Sequence, residues 1–459
     1  MQTNKNPETV SFWLERALLP DGWAERVRIG VHQGVITEVT ADTVPQPDDT
    51  RVALAVPGLG NLHSHAFQRG MAGLSEVGGR AGDSFWSWRE LMYRFLDRLD
   101  PDSFQAIAEQ AYMEMLESGF TRVGEFHYLH HDRDGHAYAD RAEMAGRLAA
   151  ASGNTGIGLT LLPVFYAHAD FGGAAPNPSQ RRLIHDLDGF AALLDASQVA
   201  LSSQPDAVLG LAPHSLRAVT PEELSLLTPL SSGPIHIHIA EQMREVDACL
   251  AWSGQRPVQW LFAHAEVDAR WCLVHATHID QTELQRIADS QAVVGLCPIT
   301  EANLGDGLFP MREFLDAGGR FGVGSDSNVL IDAAEELRLL EYGQRLRLQQ
   351  RNVLATRDTA STGRVLFEGA LHGAAQALGV ISGLRVGAPA DFIGLDTQHP
   401  ALVSRSGDAL LDSWVFATRN GAVDGVWRRG RKIVSGGRHH LRDAITARFR
   451  LAMSGLLAA

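Results

Sequence analysis

The chain has 459 residues, 45% of them hydrophobic and 20% charged, the balance of a globular protein with a sizeable core. Forty Lys and Arg stand against 54 Asp and Glu, a net charge of −14, which argues against a binder of nucleic-acid backbone, since that needs a basic face. The N-terminal stretch MQTNKNPETV is polar and no apolar run reaches about 18 residues, so neither a secretory leader nor a transmembrane helix is expected. The three cysteines, Cys249, Cys272 and Cys297, have no C-x-x-C spacing, and a reducing cytoplasm is the expected compartment. Lysine occurs only at Lys5 and Lys432, so the middle of the chain has no Schiff-base, Walker-A or metal-bridging lysine.

In chain order, residues 21–40 predict two short alternating strands around the turn Gln33-Gly34. Apolar runs of strand length then follow at 52–56, 120–126, 156–165, 207–212, 234–239, 271–276, 292–297 and 320–324. Helical patterns such as 102–118, 241–263 and 332–350 fill the gaps. Short Gly-punctuated β segments return at 383–396 and 422–434. Eight strand–helix units with buried-looking strands predict an α/β fold: a (β/α)₈ TIM-type barrel with a small β-sandwich domain built from both termini. The expected division is 1–50 and 381–459 for the sandwich, the latter with a terminal helix, and 51–380 for the barrel.

In such a barrel the chemistry belongs at the C-terminal ends of the strands. His63 and His65, two apart after the first strand, present both imidazoles on one face as nitrogen ligands. His236 and His238 repeat that spacing at the end of the fifth strand. One of them suffices for a metal, and the lower can be a core histidine. Glu241, three residues beyond His238, is placed to shuttle protons. His275 ends the sixth strand with His278 behind it, His214 closes the fourth, and Asp326 lies just past the eighth. Singly, each has a plain structural explanation, such as an Asx turn for Asp326. Together they set five histidines and an aspartate at the mouths of five strands. Imidazoles plus a carboxylate suit one divalent ion, Zn²⁺ first and Fe²⁺ second, which lowers the pKa of a bound water. The histidines of the loop at 128–138 (His130, His131 and His136) look like a metal tract but are expected to be a solvated lid. Trp86, Trp88, Tyr93 and Phe95 are expected to serve packing.

This constellation resembles the amidohydrolase superfamily across essentially the whole chain. Dinuclear members bridge two metals with a carboxylated lysine. None is available here, so the resemblance implies a mononuclear, deaminase-type member, with Glu125 the remaining and unfavoured bridge. HSHAFQRGMAGL, FWSWRELMYRF, GEFHYLHH and APHSLRAV are similar to its formimidoylglutamate deiminase branch, and the similarity continues through DACLAWSGQRPVQWL. The resemblance implies His63, His65, His238 and Asp326 as metal ligands, and Glu241, His275 and Asp326 as catalytic groups. The implied reaction is hydrolytic deimination of N-formimino-L-glutamate in histidine degradation. A dicarboxylate substrate in a chain of net charge −14 calls for a local cationic clamp. Arg89 and Arg217 are the candidates, and the resemblance adds Gln68, Tyr128 and His214 as substrate partners. A homodimer without nucleic-acid or membrane partners is expected. Two other readings stay open: a mononuclear deaminase of guanine or another aromatic base, and a catalytically inactive barrel used for assembly.

Overall fold

The computed structural model describes residues 9–78, 84–419 and 422–458, so Lys5 lies outside the described residues. Three strands open the chain, β1 (Thr9–Leu19), β2 (Gly22–His32) and β3 (Val35–Thr40), followed by β4 (Thr50–Pro57). Near the other end come β14 (Phe392–Leu395), β15 (Val423–Arg428), β16 (Arg431–Ser435) and β17 (Arg438–His439). All eight hydrogen-bond into one sheet, ordered β17-β16-β15-β14-β4-β1-β2-β3, so the two ends of the chain share one domain. Its core is small and its own: Phe12 packs edge-on to Phe392 and Trp427, which stack on each other at 4.7 Å.

The run 52–56 was expected as the first barrel strand, and here the structure differs. It lies in β4, paired in parallel with β1 and antiparallel with β14. The chain breaks at Pro57-Gly58, and the next strand, β5 (Leu59–Ser64), takes the barrel position. From β5 the barrel runs through β6 (Phe120–His127), β7 (Gly158–Phe165), the split fourth strand β8 (Val208–Leu209) and β9 (Ala212–Pro213), and β10 (Ile235–Ile239). It is completed by β11 (Trp271–His275), β12 (Val293–Leu296) and β13 (Arg320–Val323). Neighbours are parallel, the bridges Leu211–Ile235 and Ser215–His238 join its two halves, and Ser64–Asp326 closes the ring. Every residue of β6, β7, β10, β11 and β12 is buried, which is why β7, β11 and β12 read as nearly continuous apolar runs.

The helices follow their sequence signals. Pro101–Ser118 starts where Asp100 accepts from the Ser103 N–H (2.8 Å) and stops at Gly119, whose φ of 109° only glycine adopts freely. The single helix expected over 241–263 is two, Met243–Ser253 and Pro257–His264. Gly254, with φ 73°, ends the first and Pro257 opens the second. A terminal helix, Arg442–Ala458, packs back on Pro101–Ser118. At the seam between barrel and sheet, Asp206 accepts from Arg122 of β6 (2.7 Å) and from Arg428 of β15 (2.6 Å), and Arg428 also pairs with Asp391.

Candidate active site

The strand ends at the C-terminal mouth are sharply bent. Ala240, His275, Ala276 and Asp326 all have positive φ (51°, 67°, 49° and 44°) although none is glycine. Such residues cost about 1 kcal/mol or more each and cluster where a site needs its side chains re-aimed. Asp326 is stitched to the His63-Ser64-His65 segment. Its N–H donates to the His63 carbonyl (3.0 Å), and the His65 N–H donates to the Asp326 carbonyl (3.0 Å). This approach needs Gly324, where a Cβ would stand 2.7 Å from the His63 carbonyl oxygen.

The result is a tight donor cluster. His63 Nε2 lies 3.1 Å from His238 Nε2 and 3.4 Å from Asp326 Oδ1, and His65 Nε2 is 3.3 Å from the same oxygen. His65 Nδ1 donates to the Phe126 carbonyl (2.9 Å) and His238 Nδ1 to the His214 carbonyl (3.1 Å), which leaves both Nε2 lone pairs facing the centre. Burial holds the pKa of His63, His65 and His238 below the ordinary histidine value, so the rings are neutral, as ligands must be. Donors about 2.1 Å from one ion at tetrahedral angles stand about 3.3 Å apart, and this cluster matches that spacing. The donor set therefore fits a divalent metal. His236, two residues before His238, donates from Nε2 to the Ala377 carbonyl (2.7 Å) and is a core histidine.

Beside the cluster sits a second group of acids and bases. His275 Nε2 is 3.6 Å from Glu241 Oε1 and 3.8 Å from Asp326 Oδ2, while its Nδ1 meets Glu301 Oε1 at 3.2 Å. Burial alone would discharge the His275 ring, but Glu241, Glu301 and Asp326 outweigh it and hold its pKa well above the ordinary value. Burial pushes the Glu241 carboxyl up to about 7, with Asp326 and Glu245 adding to the rise and His275 and Arg217 opposing it. The backbone N–H groups of Ala240 and Glu241 both donate to Glu245, which fixes the turn carrying Glu241. Behind this group Asp306 accepts from Gln242, and burial pushes its carboxyl up to about 9. His278 Nε2 donates to the Asp306 carbonyl (2.7 Å).

A pocket opens onto the cluster, and all five expected substrate-binding residues line it. Gln68 Nε2 donates to the Tyr128 hydroxyl (2.8 Å), and the His214 ring lies 4.6 Å from that of Tyr166. Arg89, on the helix Phe85–Leu96, donates to the hydroxyls of Tyr93 (3.0 Å) and Tyr166 (2.6 Å). Arg217 is 6% exposed, and its Nε and Nη1 have no hydrogen-bond partner among the described residues. A buried guanidinium with two open N–H groups is prepared for an anion.

A family profile for the amidohydrolase family matches residues 54–433. The chain belongs to the amidohydrolase family. Residues 12–53 match a second profile, that of the formimidoylglutamate deiminase HutF N-terminal domain. The formimidoylglutamate deiminase of Pseudomonas aeruginosa is 52% identical over 435 residues, covering 94% of this chain and 95% of that protein. A 5-methylthioadenosine/S-adenosylhomocysteine deaminase of Natronomonas pharaonis is 27% identical over 77% of this chain and 75% of its own. Among solved structures, an amidohydrolase from Brucella melitensis superposes with a TM-score of 0.94 at 54% identity, covering 98% of this chain and all of that one. A zinc-bound adenosine deaminase from Xanthomonas campestris reaches 0.79 at 20% identity over 98% and 99% of the two chains, a likeness of fold alone. As an amidohydrolase the protein takes a divalent metal, and the His63, His65, His238 and Asp326 cluster is the donor set suited to it.

Glu125 stays the unfavoured bridge, and one further expectation, the solvated histidine lid, changes. Glu125 Oε1 accepts from the Ala66 N–H (2.7 Å), and its carboxyl, pushed up to about 8 by burial, is not among the clustered donors. It props the histidine-bearing segment instead of bridging metals. His130 and His131 are no solvated lid. His130 is 2% exposed and donates to the Val164 carbonyl, and His131 packs 4.5 Å from His185, so of the three only His136 is exposed. Of the aromatics expected to pack, Trp88 and Tyr93 line the pocket and Phe95 joins the main core. Sequence reasoning missed Tyr166, Glu301 and Asp306. Glu301 had a usable signal, the first turn of the helix Pro298–Leu304 that follows a barrel strand directly.

Proposed function

We propose that this chain hydrolyses N-formimino-L-glutamate to N-formyl-L-glutamate and ammonia, the deimination step of histidine degradation. The observation that carries the substrate reading is the buried Arg217, with Nε and Nη1 free, in the same pocket as Arg89 and the metal cluster. An aromatic base would leave that guanidinium unpaired, whereas a dicarboxylate satisfies it. The intact donor cluster and Glu241 weigh against an inactive barrel.

His63, His65, His238 and Asp326 would hold one divalent ion, zinc before iron(II), whose Lewis acidity brings the pKa of water toward neutrality. Arg217 and Arg89 pair with the two carboxylates, and Gln68, Tyr128 and His214 fix the formimino end. Water adds to the formimino carbon. Glu241 takes a proton from it and returns one to the departing nitrogen, so the C–N bond breaks to ammonia and the formyl oxygen comes from water. Asp326 assists its deprotonation, and His275, 3.8 Å away and kept protonated by its acidic neighbours, orients that water as a donor. A carboxyl held near 7 by burial is matched to a proton that must be both taken and given.

The unit is read as a homodimer, as related barrels often are, in a reducing cytoplasm that suits three buried, unpaired cysteines. The test is ammonia release by metal-loaded protein from N-formimino-L-glutamate, with guanine alongside. Release from the former alone is expected. Turnover of guanine with silence on the formimino compound would refute the proposal.

A further inference from the structure

Trp86 lies in the first turn of the helix Phe85–Leu96, and three guanidinium groups gather on its indole ring. Arg217 stands 5.5 Å from the ring centre and Arg89 5.7 Å, and both line the pocket. The third, Arg244, is the nearest at 4.4 Å and is exposed to solvent. None of the three is within 4 Å of a carboxylate among the described residues, although the chain carries 14 more acids than bases. Arg244 is also the second residue of the helix Met243–Ser253, where the helix dipole disfavours a cation. A charge in that position, beside an indole and without an acidic partner among the described residues, is poorly explained by stability.

With Trp86 beside it and no hydrogen bond to another described residue, the Arg244 guanidinium keeps N–H groups for a carboxylate. The two ring distances bound the Arg244–Arg217 separation at about 10 Å, one Debye length at ~0.1 M salt, so the two cations act on one incoming anion. We infer that Arg244, held on Trp86 outside the pocket lining and within about 10 Å of Arg217, is an outer specificity-determining cation that receives a substrate carboxylate and passes the dicarboxylate to Arg217 and Arg89. This rests on the dicarboxylate substrate proposed above. It adds a third positive charge to a two-carboxylate ligand, so the attraction lasts until both inner pairs have formed.

The test compares wild type, Arg244→Gln and Arg244→Lys on N-formimino-L-glutamate from low to physiological salt. Arg244→Gln is expected to lower kcat/KM about fivefold at low salt through KM, with kcat within about twofold, and to flatten the salt dependence. Arg244→Lys, which keeps the charge, should retain most of the salt dependence. A glutamine variant with wild-type KM and salt dependence would overturn the inference. Calorimetric titration of glutarate, with butyrate as the monocarboxylate control, separates this from failure of the substrate reading. Weaker glutarate binding in Arg244→Gln, with butyrate little changed, supports the cation even if wild type leaves the formimino compound intact. Equal glutarate affinity in the two proteins overturns it.

Discussion

The two walls of the pocket are built by different means. On the metal side the donors sit on the ends of barrel strands, and the backbone positions them. Asp326 is fixed by main-chain hydrogen bonds to the His63–His65 segment, and His65 and His238 are oriented by carbonyls of neighbouring strands. On the arginine side the cations come from outside the barrel, Arg89 from a helix and Arg217 from the loop after β9. There side chains do the positioning: the hydroxyls of Tyr93 and Tyr166 hold Arg89. The first wall is neutral histidine closed around a fixed centre, and the second is unpaired positive charge awaiting a ligand. On the proposed reading the difference separates chemistry from selection, and substitutions should divide accordingly.

The largest effect is expected on the chemical wall. Glu241→Gln should lower kcat by about 10²–10⁴ with KM and metal content near wild type, read from steady-state kinetics and elemental analysis. Next, on the selecting wall, Arg217→Met should raise KM for the dicarboxylate by about 10² with kcat largely kept. Arg89→Met should act in the same sense. A fall in kcat without a change in KM in either arginine variant would break the division. Smaller again, Tyr166→Phe removes one hydrogen bond to Arg89 and should raise KM about fivefold, with metal binding untouched. Smallest is the effect of pH on substrate affinity. Burial opposes the Arg89 charge, but the Tyr166 and Tyr93 hydroxyls outweigh it and raise its pKa. The cation is then lost only above the ordinary arginine range, and the substrate carboxylates are ionised above about pH 5. Arg89 should therefore add no pH dependence to KM from about pH 6 to 9, so in an assay across buffers Arg89→Met should keep the shape of the wild-type KM profile.

The two walls were not equally legible in the sequence. H-x-H at a strand end, a glutamate three residues beyond His238 and an aspartate past the last strand are short-range patterns. A barrel converts them directly into one cluster, so the metal side could be read residue by residue. Trp88, Tyr93 and Tyr166 carry no such spacing. Tyr166 meets Arg89 across 77 positions, a contact that only the packing of the helix Phe85–Leu96 over the mouth creates. The run 52–56 misled for another reason. A buried strand of the outer sheet and one of the barrel are both short and apolar, and only the Pro57-Gly58 break tells them apart. His130 and His131 misled because a polar-looking loop folds inward, with their Nε2 atoms satisfied by the Val164 and Ile184 carbonyls.

The most direct measurement is a paired one: kcat and KM of Glu241→Gln and Arg217→Met on N-formimino-L-glutamate, with metal content determined for both. Loss confined to kcat in the first and to KM in the second, at equal metal content, is the predicted result. If Glu241→Gln turns over normally, or Arg217→Met binds the dicarboxylate as wild type does, the assignment of chemistry to one wall and selection to the other is wrong.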